Sequence, residues 1–490
     1  MSGERLHAAL ASLSQGRVLC VGDVMLDRFV YGGVNRISPE APIPVLKVDH
    51  EAAMLGGAGN VVRNMAALGA RSSFVSVIGI DAAGTEIERL LGAMQNVEAS
   101  LLPVRGRSTT IKTRYIAAGQ QLLRADRESD DTLQESARES LLARALAALD
   151  GCQVLALSDY GKGVLGEGVA PSLIAAARQH GCMVVIDPKG SDYSRYRGAS
   201  LVTPNARELA QASGLPATND EEIVAAARKL IEACGIEAVL ATRSGEGMSL
   251  IERSGRVAHV RAQAREVFDV AGAGDTVVAS MAVALAAGID LELAAQLANL
   301  AAGIVVGKIG TAVASIEELH AAIEQQNLAM PSLKVMTADQ AAARASRWRD
   351  QGLSVGFTNG CFDLLHPGHV SLLRQARAAC DRLIVGLNSD ASVKRLKGSA
   401  RPVQNEGARA AVLASLADVD ALVIFAQDTP EQLIAAVRPQ ILVKGADYTE
   451  DQVVGGALVK SYGGRVVLAE LAPGHSTSGT IRRLAGNTGP

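Results

Sequence analysis

Two short segments combine glycine with ionisable side chains in the way that phosphate chemistry requires. One is Asp269-Val270-Ala271-Gly272-Ala273-Gly274-Asp275, and the other is Cys361-Phe362-Asp363-Leu364-Leu365-His366-Pro367-Gly368-His369. In the first, Gly272 and Gly274 leave backbone N–H groups open to an anion because no bulky side chain intervenes. A helical pattern follows over 276–287, which puts the loop at the positive end of a helix. A γ-phosphoryl group held there gains electrostatic stabilisation, and Asp275 would accept the proton of the attacking hydroxyl. Taken alone, the same residues read more readily as a tight turn with Asp275 as an N-cap. In the second segment, Pro367 and Gly368 suit a first helical turn, and His366 and His369 can face one ligand. As hydrogen-bond donors they would stabilise charge on an α-phosphate under attack by another phosphate. The competing reading, a zinc pair, lacks a third ligand of suitable type nearby.

These residues need rigid elements behind them. Unbroken apolar runs at 18–22, 154–157, 184–186 and 239–242 predict parallel strands covered on both faces. Helical spacing at 135–149, 169–180 and 221–233 lies between them, with Gly181 and Gly235 where left-handed caps are wanted. A second start follows a polar stretch at 325–332 that contains Pro331. Thr337 with Gln340 predicts a capping box opening a helix to residue 349. Strands are then expected at 354–358, 383–387, 422–425, 441–443 and 466–468, and a helix at 370–379. The expected domains are 1–320 and 337–490, joined by a linker over 321–336.

Bulk properties agree. A chain of 490 residues exceeds what one core supports, and 48% hydrophobic residues with 49 glycines fit packed α/β layers. A net charge of -3 gives no reason to expect a nucleic-acid or membrane-surface partner. Cys20, Cys152, Cys182, Cys234, Cys361 and Cys380 are scattered without a C-x-x-C pair, as in a reducing cytoplasm. There is no signal-peptide pattern and no membrane-spanning apolar run, so a cytoplasmic location is expected.

Gly56-Gly57-Ala58-Gly59-Asn60 early in the chain, together with D-V-A-G-A-G-D late in the first domain, resembles the paired signatures of ribokinase-like carbohydrate kinases. The resemblance covers about 15 to 320. It implies a mostly parallel sheet, a small β lid over the sugar, ATP as donor with Mg²⁺, and a possible monovalent cation. It makes Asp275 the catalytic base and Ala271, Gly272, Ala273 and Gly274 the anion hole. Asn205 and Glu208, in Asn205-Ala206-Arg207-Glu208, would organise phosphate and, indirectly, Mg²⁺. Lys189, Thr242, Gly245 and Gly247 fall where the nucleotide is held, while Asp23, Asp27, Gly57 and Asn60 fall at the sugar. Asp23 and Asp27 are alternatively turn aspartates. The stretch 27–42 resembles that of heptose-7-phosphate kinases, whose phosphorylated sugar needs cations; Arg28, Arg36, Lys112, Arg114 and Arg124 are candidates.

The H-x-G-H segment resembles that of the cytidylyltransferase-like nucleotidyltransferases over about 350–490, which implies a smaller Rossmann-like sheet. Phe362, Asp363, Gly368, Asn388, Asp390, Lys394, Lys397 and Lys444 would then contact nucleotide or phosphate, with Arg401 a further cation. Lys394, Lys397 and Arg401 are alternatively a basic surface loop. Thr477 and Ser478 match a C-terminal phosphate element in which Gly479 replaces threonine, which puts the role of Arg482 in doubt.

A kinase followed by such a transferase resembles the bifunctional heptose 7-phosphate kinases/heptose 1-phosphate adenylyltransferases. That implies phosphorylation of the anomeric hydroxyl of heptose 7-phosphate and synthesis of ADP-heptose with release of pyrophosphate, for the lipopolysaccharide core. It also implies a homodimer, because related kinases pair through their lids. The alternatives are another sugar or polyol phosphate, CTP in place of ATP, or a nucleotide-binding regulator with degenerate sites.

Overall fold

The computed structural model describes residues 2–129, 132–262, 267–308, 310–329, 334–446 and 449–470. Thr477, Ser478, Gly479 and Arg482, expected at a phosphate, lie outside the described residues, as does Pro331. The chain divides into two compact units, 2–323 and 324 onward.

The first unit is built on a nine-stranded sheet. Its order is Val257–Val260, Met248–Glu252, Ala238–Thr242, Leu201–Val202, Met183–Asp187, Val154–Ser158, Arg17–Gly22, Arg71–Gly79 and Val97–Val104. All neighbours are parallel except the two pairings that involve Met248–Glu252. Every residue of Val154–Ser158 is buried, as an unbroken apolar run between two helical layers must be. A separate four-stranded sheet forms the lid, with Val24–Ile37 antiparallel to Pro44–Gly57 and parallel to Ile111–Ala117, which pairs with Gln120–Arg127. Two register shifts in Val24–Ile37, at Tyr31/Gly32 and Val34/Arg36, bend the long strand.

Helix Ala273–Ala286 is buried from Asp275 to its end. Its sequence is apolar on all sides, so it can exist only between layers. Full burial of Val277, Val278, Met281 and Val283 contributes about 1.5–3 kcal/mol each, which anchors the loop at its N-terminus. An aspartate in place of Val278 would break it.

The second unit is a six-stranded, wholly parallel sheet in the order Val335–Met336, Ala421–Phe425, Arg382–Asn388, Val355–Gly360, Ile441–Gly445 and Arg465–Ala469. Helix Ala338–Asp350 opens with the reciprocal Thr337–Gln340 capping box. Gly235 closes helix Asp220–Cys234 at φ 65°, and Gly181 sits at φ 71°.

Some boundaries differ from those expected. The linker expected from 321 is, up to Ala329, the end of helix Ile316–Ala329, because Leu319, Ala322 and Ile323 form a buried stripe. The helix expected at 276 starts at Ala273 with Gly272 (φ 78°) as N-cap, so Asp275 is a first-turn residue and not a cap. The helix expected at 370 starts at Pro367, with His366 as N-cap.

Candidate active sites

In the first unit, three elements converge on Asp275. Its Oδ1 accepts from the Tyr160 hydroxyl at 2.6 Å and its Oδ2 from Asn60 Nδ2 at 2.8 Å. Burial pushes the Asp275 carboxyl up to about 6; Tyr160 and Asn60 pull it down, and nearby Asp27 pushes it up. A carboxylate poised there is ionised at neutral pH yet retains affinity for a proton, as a general base requires. Gly272 lies so close to Asn60 that a Cβ would come within 2.7 Å of Nδ2. Beside Asp275 the N–H groups of the first helical turn lack intrahelical acceptors. Of the four N–H groups expected to form the anion hole, that of Ala271 is spent on Asp269 Oδ1 and that of Ala273 points to the Val270 carbonyl. Gly272 and Gly274 remain for an anion.

The residues expected at a sugar divide. Asp27 is buried at the base of the lid, with Arg114 donating to Oδ1 at 2.6 Å. A Cβ on Gly56 would sit 2.5 Å from Asp27 Oδ2, which is why glycine stands there. Gly57, at φ 55°, lets the chain pass the Asp23 carbonyl. Asn60 directs its Nδ2 at Asp275. The Asp23 carboxylate is buried and accepts from the backbone N–H groups of Tyr160, Lys162 and Val164, so it holds a loop. Three of the candidate lid cations have acidic partners as well: Lys112 with Asp126 and Glu128, Arg124 with Asp126, and Arg114 with Asp27.

A cavity of about 410 Å³ opens between the end of strand Ala238–Thr242 and helices Ala273–Ala286 and Leu291–Val305. Thr242, Gly245 and Gly247, the residues expected at the nucleotide, line it opposite Val277, Leu300 and Gly303. A Cβ on Gly247 (φ 95°) would collide with the Val260 carbonyl. Asn205, Ala206 and Arg207 line an adjoining space that shares Thr242 and Ser244. Asn205 and Glu208 form a reciprocal capping box on helix Ala206–Ser213, which leaves Glu208 Oε1 3.7 Å from Lys189 Nζ. The Asp187 carboxyl is pushed well up by burial, with Asp275 and Glu208 adding negative charge. A cation is the natural relief for such a cluster.

In the second unit, strand Val355–Gly360 ends at the Cys361–His369 segment. Phe362 adopts φ 42°, a left-handed turn that brings its ring 5.0 Å from that of His369. His366 and His369 stack with centroids 3.8 Å apart at the start of helix Pro367–Ala378. Burial, then the charges of His366 and Lys397, lowers His369 to about 4, so its ring is neutral at physiological pH. Gly368 occupies the first turn of that helix. Lys394 and Lys397 are exposed near the end of helix Asp390–Lys397, and Lys444 donates to the Asn359 carbonyl at 3.1 Å.

Asp363, Arg401, Asp390 and Asn388, expected at nucleotide or phosphate, each have partners within the protein. Asp363 is buried against Arg401 and accepts from the N–H groups of Val403 (2.7 Å) and Gln404 (3.2 Å). Burial alone would raise it, but Arg401 and those N–H groups draw it below the usual carboxylate range. Asp390 Oδ1 accepts from Arg409 at 2.6 Å, and Asn388 donates to Ser392. Arg409 was missed by sequence reasoning. It is fully buried and also donates to the carbonyls of Cys361, Asn388 and Gln404, tying the two strand ends together. An arginine inside the alanine-rich run 408–414 gives no signal of this.

Residues 15–318 match the pfkB family of carbohydrate kinases, and residues 357–481 match the cytidylyltransferase-like family. Bifunctional protein HldE of Paramagnetospirillum magneticum is 59% identical over 470 residues, covering 96% of each chain. That of Rhodospirillum rubrum is 57% identical over 483 residues, covering 99% of this chain and 97% of its own. Phosphofructokinase-2 from Escherichia coli, solved with potassium, superposes with a TM-score of 0.55 at 22% identity, over 63% of this chain and 99% of that one. At that identity the likeness shows the fold alone.

Proposed function

Because the chain belongs to the pfkB carbohydrate kinase family and, over nearly its whole length, to the family of bifunctional protein HldE, it is a kinase joined to a nucleotidyltransferase, and we propose that it makes ADP-heptose for the lipopolysaccharide core. In the first reaction the γ-phosphoryl of ATP passes to the anomeric hydroxyl of heptose 7-phosphate. Asp275 takes the hydroxyl proton while the first-turn N–H groups meet the charge that builds on the phosphoryl oxygens. Asp27 holds a sugar hydroxyl, and Lys112, its register partner in the lid, and Arg114, which donates to it, meet the 7-phosphate. The apolar cavity takes the adenine, with Thr242, Gly245, Gly247 and Lys189 along the nucleotide. Glu208 and Asp187 would hold Mg²⁺, which neutralises phosphate charge when bound.

In the second reaction a heptose 1-phosphate oxygen attacks the α-phosphorus of ATP and pyrophosphate leaves. His366 and His369 donate hydrogen bonds to the α-phosphate, and Gly368 lets it approach the helix. Phe362 supports His369, Lys394 and Lys397 face the leaving pyrophosphate, and Lys444 and Asn388 lie along the substrates.

The observation that carries this reading is the Asp275 constellation, a buried carboxylate poised near neutrality beside open helix N–H groups. The test is product analysis by mass spectrometry. Heptose 7-phosphate with ATP should give ADP and a bisphosphate; heptose 1-phosphate with ATP should give pyrophosphate and ADP-heptose. Turnover of a different sugar phosphate, or a preference for CTP, would overturn the substrate assignment. A cytoplasmic homodimer belongs to the same proposal. The lid leaves Ile37, Ile43 and Leu123 more than half exposed, at 62%, 56% and 58%, apolar surface of the kind a second lid would cover. A monovalent-cation requirement would show as lost kinase activity when choline replaces potassium. No described helix is long and apolar enough to cross a membrane.

A further inference from the structure

The three N–H groups that occupy Asp23 belong to one loop, 160–164. Asp159, just before it, accepts from Gly161 N–H at 2.9 Å and the Tyr196 hydroxyl at 2.7 Å, and pairs with Arg195. Two buried carboxylates therefore fix the loop from either side. It delivers one side chain, Tyr160, whose hydroxyl donates to Asp275 Oδ1 at 2.6 Å. Burial pushes the Tyr160 phenol well above its ordinary range, and the charge of Asp275 adds to this, so the proton stays on the phenol. Tyr160 is a donor and not a base.

We propose that Tyr160 is a positioning residue for phosphoryl transfer: its hydroxyl fixes the orientation of the Asp275 carboxylate and keeps it ionised at working pH. The proposal rests on the reading of Asp275 as the base. A carboxyl this buried would otherwise hold its proton at neutrality and could accept none from a sugar. Two hydrogen bonds, from Tyr160 and Asn60, stabilise the charged form and occupy one lone pair on each oxygen. The remaining lone pairs are left for the acceptor hydroxyl. Asn60 sits inside helix Ala58–Ala67, whereas Tyr160 comes from a loop, which explains why that loop is pinned so heavily. The other charged or titratable groups around Asp275 are Asp27 with Arg114, Asp187, Cys20 and Arg63. All of them are retained when Tyr160 alone is changed.

The test is the full chain carrying Tyr160→Phe, assayed for kinase rate against pH. Loss of a hydrogen bond to a charged group should lower kcat about 10- to 100-fold. The acidic limb of the profile should move up by about one pH unit, with little change in KM for the sugar phosphate. Adenylyl transfer by the same protein reports intact material and should not change. A ring-fluorinated tyrosine at 160, a stronger donor of nearly the same shape, should move the limb down and covers the case in which the phenylalanine variant folds poorly. An unmoved limb in both proteins would reduce Tyr160 to a packing residue and overturn the proposal while Asp275→Ala still abolishes the kinase. Kinase activity surviving Asp275→Ala would instead remove the base reading and the proposal with it.

Discussion

Asp275 is held where its proposed role as base requires and its stability does not. Its folded-state proton affinity is raised, to about 6 against 3.8, so the ionised form is disfavoured in the native protein. The sign follows from linkage: the native state binds more protons than the unfolded chain between those values, so stability falls as pH rises through that window and the penalty is full above it. Asp275→Asn, which carries no charge, should therefore raise the stability of the kinase unit at pH 7.5 by on the order of 1–3 kcal/mol. The advantage should shrink as pH falls toward 4. The same variant should lose roughly 10²–10⁴ in kinase rate, the usual worth of a positioned base. Calorimetry at two pH values with the kinase assay checks both; a variant less stable at pH 7.5 would show that the charge is not strained. His369 carries the opposite sign. Its depressed affinity contributes stability above pH 6.5 that is lost as pH falls toward 4. Circular dichroism of His369→Ala should show a smaller acid-induced loss than the parent.

At the scale of elements, the nucleotidyltransferase sheet depends on one helix residue reaching under two strand ends. Arg409 in helix Glu406–Ala414 bonds Asp390 and the carbonyls of Cys361 and Asn388. Arg409→Met leaves those acceptors without a donor and should destabilise the unit by roughly 3–5 kcal/mol, near the low end because Asp390 is partly exposed. Adenylyl transfer should fall with it and kinase activity should not; equal thermal stability of variant and parent would contradict the staple. Arg409 also shows where sequence stops being informative. Continuous apolar runs announced the parallel strands, and Thr337 with Gln340 announced its cap, because local patterns suffice for both. The glycine loop and the two histidines stand out in the sequence because phosphate demands close backbone approach. Asp23 is ambiguous in sequence, because a carboxylate that caps three backbone N–H groups reads the same as one that grips a sugar. Asn205 and Glu208 carry the same ambiguity: their spacing is that of a capping box, and the structure builds one. The apolar cavity proposed for the nucleotide was invisible beyond Thr242–Gly247 because Val277, Leu300 and Gly303 pattern as core.

For the whole molecule, two sites that share no residue should fail independently, and their reactions need not be adjacent. The bisphosphate proposed as the kinase product keeps the phosphate at position 7, which the second reaction does not use. A separate phosphatase must act between them, so nothing selects for transfer from one site to the other. His369→Ala should abolish pyrophosphate release and leave ADP formation intact, and Asp275→Ala should do the converse. An equal mixture of these two variants, with a phosphatase added, then contains each working site on a different chain. If the intermediate diffuses freely, the mixture should make ADP-heptose at the parent's rate, compared at equal concentrations of each intact site. A parent that outpaces the mixture several-fold, and keeps that lead when excess phosphatase is supplied, would mean that having both sites on one chain shortens the path of the intermediate. The fusion would then serve transfer as well as co-expression, and equal rates would confine its purpose to making the two enzymes in a fixed ratio.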